Sequence, residues 1–202
     1  MTPLLVLLCV LAAALELDTT YAFQFTFSRG IIAGPLFSLL TGDLMAGIQV
    51  GVFTELLFCD INPLGAILPP SAVICCAISM ALYAVGIELY FAFVMGVLMA
   101  LLFAQAEKYM RKRRVGLLTY WENNILQKPR AINRIILLEL CSVFLINFVL
   151  ISLMVCVCAR FMLWLVPHLP TQTVLACQIA YMAVPWIGLA SLIPELRFKK
   201  RH

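Results

Sequence analysis

The chain has 202 residues, of which 64% are hydrophobic and only 12% charged, and its mean hydropathy is +1.04. A soluble domain carries about 25% charged residues, so this composition excludes an ordinary soluble fold and points to an integral membrane protein. The net charge of +4 is unevenly placed: residues 1–106 hold one basic and six acidic residues, 107–134 eight basic and two acidic, and 135–202 five basic and two acidic.

Apolar blocks lie at 3–15, 31–59, 64–106, 135–166 and 173–193. A span takes roughly 20 apolar residues. The 64–106 block is too long for one span and the 31–59 block somewhat too long. The expected architecture is all-α: a single polytopic membrane domain over 1–202, with about five to seven membrane segments, broken or re-entrant around 31–71.

The opening MTPLLVLLCVLAAALEL lacks the positive start of a secretory signal and reads as a retained first helix, ended by Glu16 and Asp18. In DTTYAFQFTFSR, Tyr21, Phe23, Phe25 and Phe27 alternate with polar residues and suit a headgroup belt, while Gln24 and Arg29 can reach inward.

The stretch from Arg29 to Ser71 is apolar, yet it carries Asp43, Glu55 and Asp60 and is broken by Pro35, Pro63 and Pro69-Pro70. Ionisable groups at membrane depth are costly and usually face a bundle interior or a watery cavity. Asp43, Gly47, Gly51 and Glu55 recur every fourth residue. Gly47 and Gly51 form a small-xxx-small pair suited to close helix packing. On a continuous helix Asp43 and Glu55 stand roughly 18 Å and 120° apart, which rules out a paired acid/base site. Non-helical backbone at this depth lines cavities in transporters. Asp60, Asn62 and Ser71 then supply contacts for a neutral polyhydroxylated molecule; a plain loop between two helices is the competing reading.

Downstream, ALYAVGIELYFAFVMGVLMALLFAQAEKY reads as a helix, a break near Gly86 with Glu88 at an interface, a cavity position for Glu88 being the competing reading, and a second helix. Basic residues collect in cytoplasmic loops, so the 107–134 loop, with RKRR at 111–114, and the 194–202 tail are expected on the cytoplasmic side, as topology determinants rather than a nucleic-acid site. Spans at roughly 135–158 and 174–193 fit between them, with PHLPTQT facing outward. WENNILQKPRAINRIILLEL reads as an amphipathic entry along the surface, Glu139 and Asn147 as hydrogen-bonding groups between helices, and Arg160 as a snorkelling residue. The eight cysteines lie in apolar blocks without a CxxC pair, and Cys156-Val-Cys158 has no histidine nearby. They read as small packing residues. No catalytic residue, metal or cofactor is expected.

The run FSRGIIAGPLFSLLTGDLMAGIQVGVFTELLFCDINPLGAILPPSAV resembles the amino-terminal region of the IIC subunit of mannose/fructose/sorbose-family phosphotransferase-system permeases. The matching features are Arg29, Gly34-Pro35-Leu36, Gly42-Asp43, the glycine-spaced helix, Glu55-Leu56, Gly65 and Pro70. The similarity extends more faintly toward residue 190. It implies a sugar-transporting subunit of the bacterial inner membrane that pairs with a IID-type subunit. It also implies an elevator-like shift carrying a hexose or hexosamine inward, with phosphate supplied from phosphoenolpyruvate through IIA and IIB phosphocarriers. Family members commonly have aspartate where this chain has Ser71, and they continue beyond the region resembling QIAYMAVPWIGLASL, so the chain is expected to be short at its C-terminus. A divergent membrane interaction protein without transport is the alternative.

Overall fold

A computed structural model describes residues 2–20, 26–59, 69–127 and 132–198. Among them are seven α-helices, one 3-10 turn and no strand: α1 (Pro3–Thr20), α2 (Gly30–Thr41), α3 (Leu44–Phe58), α4 (Ala72–Ala84), α5 (Leu89–Gln127), α6 (Ile132–Leu165), the turn Val166–His168, and α7 (Thr171–Phe198).

The bundle is built around α4. Every residue from Val73 to Leu82 is buried, as expected of a helix that is apolar on all sides. Helices α1, α2, α3, α5 and α6 all pack against it. Its start is fixed by Ser71, whose side-chain oxygen accepts from the Ile74 N–H at 3.3 Å. Its end is fixed by Gly86 at φ +93°, a left-handed conformation that glycine adopts without penalty.

The 31–59 block is a hairpin of two short helices, because Gly42 at φ +86° ends α2 and Asp43 caps α3. With 12 and 15 residues, they are about 18 and 22 Å long against a hydrocarbon core of about 30 Å. The hairpin is therefore a broken, part-depth element, as expected for 31–71, but the break falls at Gly42 and not at Pro35, which α2 runs through. Its helices touch backbone to backbone. A Cβ on Gly30 would sit 2.8 Å from the Gly51 carbonyl oxygen, and one on Gly34 or Gly47 would collide with the facing helix.

Among the described residues, three helices are long and apolar enough to cross a membrane: Leu89–Arg113, Ile136–His168 and Thr171–Ser191. The first is 44% buried over its most apolar window and the last 11%, which places α5 inside the bundle and α7 at its edge. An aromatic cluster joins them to the hairpin: Phe53 of α3, Phe93 of α5 and Tyr181 of α7 lie with ring centroids 4.9–6.1 Å apart.

Several elements run longer than the sequence suggests. Glu16 and Asp18 do not end α1, which continues to Thr20 with both side chains buried. Residues 107–127 continue α5 as helix rather than forming irregular chain. The whole of α5 is 39 residues, about 58 Å, and so exceeds the roughly 40–45 Å bilayer. Helix α6 begins earlier and ends later than the 135–158 span. On it Asn147 is buried as expected, whereas Glu139 is exposed.

Candidate functional site

Four helix ends converge beside the first turn of α4: the C-termini of α1 and α3 and the N-termini of α2 and α4. Arg29, the N-cap of α2, makes no capping bond with its side chain. Glu55 caps that helix instead. Its Oε2 accepts from the Gly30 N–H at 2.9 Å, and its Oε1 accepts from Arg29 Nη1 at 2.8 Å. A carboxylate at a helix N-terminus is favoured because it meets free N–H groups and the positive end of the dipole.

Ser71 does two things at once. Besides capping α4, its hydroxyl donates to Glu16 Oε2 at 2.7 Å, which ties α1 to α4. Glu16 is 3% exposed. Beside it on α5, Arg111 Nε donates to Glu107 Oε1 at 3.0 Å. Thr54 donates to the Val50 carbonyl at 2.7 Å, with Cys75 Sγ at 3.4 Å and Cys76 Sγ at 3.7 Å. Cys76 Sγ lies 3.9 Å from the Gly30 carbonyl, so the hairpin and α4 meet without a gap. Upstream, Thr26 stands at φ +67°, an uncommon conformation for a β-branched residue.

Asp43 belongs to the other end of the hairpin, about 18 Å away along α3. Its carboxylate accepts from the Ala46 N–H at 3.1 Å and from the Tyr83 hydroxyl at 2.7 Å. These two bonds, Tyr83's first, hold the carboxyl of this half-buried turn residue below the usual range. The structure thus gathers Arg29, Glu55 and Ser71 at one end and sets Asp43 at the opposite one. Gly47 and Gly51 sit in the hairpin seam, as their spacing predicts. Gln24, Asp60 and Asn62 lie outside the described residues. Sequence reasoning missed Glu16, Thr54 and Tyr83. Glu16 alone carried a signal, a carboxylate one turn inside the end of an apolar helix.

A family model described as the phosphotransferase-system sorbose-specific IIC component matches residues 3–201. The chain belongs to that family. Comparison with curated proteins found no match. A solved structure described as "Structure of membrane protein" is similar at a TM-score of 0.71 and 19% identity, covering 97% of this chain and 81% of its own. That likeness shows the shared fold. The IIC family is a membrane transport subunit of a sugar phosphotransferase system.

The groups at the convergence are hydrogen-bonding ones. Carboxylates accept hydrogen bonds from hydroxyl groups, a guanidinium donates them, and Ser71 does either. Packing of Gly188 of α7 against Leu56 closes the same side of α3. The convergence is thereby braced from outside as well as from α4.

Proposed function

We propose that this chain forms part of the sugar-binding and translocation path of a phosphoenolpyruvate-dependent permease, for a hexose or hexosamine. The convergence of Arg29, Glu55 and Ser71 between interrupted helices carries the reading. Broken helices at part depth expose backbone groups, and polar side chains beside them form solute sites in transporters. Asp60 and Asn62 belong to the same proposed path, as does Gln24; Asp43 belongs to its far end. Family membership supports placement in the bacterial inner membrane, and the charge distribution supports residues 107–134 and the C-terminal tail as cytoplasmic. The sugar is phosphorylated by IIA and IIB phosphocarriers, and a IID-type subunit completes the permease.

Co-expression with a IID-type subunit and the phosphocarriers, followed by sugar uptake and phosphorylation, tests this. Uptake is expected to fall sharply in a Glu55→Gln, Asp60→Asn double variant; unchanged uptake removes both residues from the path. One observation favours a second reading, a membrane interaction protein that does not transport: Arg29, Asp43, Glu55 and Ser71 are all engaged within the chain. Absence of uptake with every partner present supports it.

A further inference from the structure

Where α4 ends, the left-handed turn at Gly86 leads the chain away and leaves an open cavity of about 390 Å³, lined by Thr41, Tyr83, Ala84, Gly86, Ile87 and Glu88. It lies at the far end of the hairpin from the Arg29–Glu55 cluster. A Cβ on Gly86 would meet nothing within 4 Å. The Tyr83 wall is held in place by its bond to Asp43. The volume is at the small end of the roughly 300–1,000 Å³ of ligand pockets, a fit for a monosaccharide-sized molecule.

We infer that this cavity is a second sugar site, an entry vestibule that takes the unphosphorylated sugar and rejects the sugar phosphate. It rests on the sugar-permease reading above. Its polar groups are the Thr41 hydroxyl, the Tyr83 hydroxyl and the exposed Glu88 carboxylate, which makes no hydrogen bond among the described residues. Hydroxyl and amino groups of a sugar donate to such acceptors, and the Tyr83 ring offers an apolar face. A phosphate has no partner there. Among the described residues no basic side chain lines the cavity, and the one basic residue in the sequence of 1–106, Arg29, is bound to Glu55 at the other end. Glu88 and the nearby Asp43 repel a dianion.

The test places a cysteine in the cavity, as Ala84→Cys and separately Thr41→Cys, in permeabilised membranes that also hold a IID-type partner. Maleimide labelling is followed with mannose, fructose, sorbose and glucosamine, and with the 6-phosphate of each. The unsubstituted chain, with exposed Cys59, Cys141 and Cys156, sets the background. At least one free sugar should slow labelling and its phosphate should not. Adding Glu88→Gln should raise the half-protecting concentration about ten-fold, the loss of one hydrogen bond to a charged acceptor. Failure of every free sugar to protect either cysteine, equal protection by the phosphates, or no effect of Glu88→Gln overturns the inference. Phosphoenolpyruvate-dependent phosphorylation measured in parallel separates the two failures. Phosphorylation without protection removes the vestibule and keeps the permease reading; protection without phosphorylation does the reverse.

Discussion

Glu55 serves two partners that differ in worth. Its bond to Arg29 is an ion pair in which the Arg29 side chain is 65% exposed, and such pairs contribute about 0–1 kcal/mol. Its bond to Gly30 satisfies a helix-end N–H that otherwise loses its partner, adding roughly 1 kcal/mol. Glu55→Ala is therefore expected to lower thermal stability in detergent more than Arg29→Ala does; equal losses would assign the contribution to the ion pair alone. The hairpin seam is less forgiving. Gly47→Ala drives a methyl group into Ser38 and the Gly34 carbonyl, and overpacking costs about 1–3 kcal/mol. Gly42→Ala meets no atom within 4 Å; its cost comes only from the left-handed backbone at φ +86°. A thermal scan of the two variants should show loss of hairpin packing only for the first, read as reduced protection of backbone amides in α2 and α3 from hydrogen exchange.

Helix breaks were legible in the sequence because proline and glycine act locally. Pro69-Pro70 precedes α4 and Gly86 follows it; the division of the hairpin at Gly42-Asp43 was not read, and Pro35, read as a break, lies inside α2. The small-residue seam was legible too, since spacing by four keeps Gly47 and Gly51 near one face. What joins the elements was not. Ser71 meets Glu16 across 55 residues, and Tyr83 meets Asp43 across 40, so neither pair leaves a periodic trace. The Ser71–Glu16 contact makes a prediction of its own at the level of α1 and α4. Ser71→Ala removes both the cap on α4 and the donor to Glu16, and Glu16→Ala removes the acceptor. Each should lower thermal stability in detergent by about 1–3 kcal/mol, and the double variant by less than the sum. Thermal unfolding of the four-member cycle reads this out, and additive losses would show that the two residues do not interact.

Across the whole molecule, the charge distribution supports the orientation proposed above, with the basic end of α5 and the C-terminal tail cytoplasmic and the turn between α6 and α7 outside. Lys112→Cys is expected to react with a membrane-impermeant maleimide only in inside-out vesicles, and Gln172→Cys only in intact cells; the reverse pattern inverts the assigned topology. The backbone contact between α2 and α3 has a consequence for how such a chain diverges over time. Gly34 and Gly51 face only backbone of the opposite helix, whereas Gly47 meets the Ser38 side chain, so a larger residue at Gly34 or Gly51 has no side chain opposite that a second substitution could trim. Drift at those two positions therefore offers no stepwise compensation across the seam.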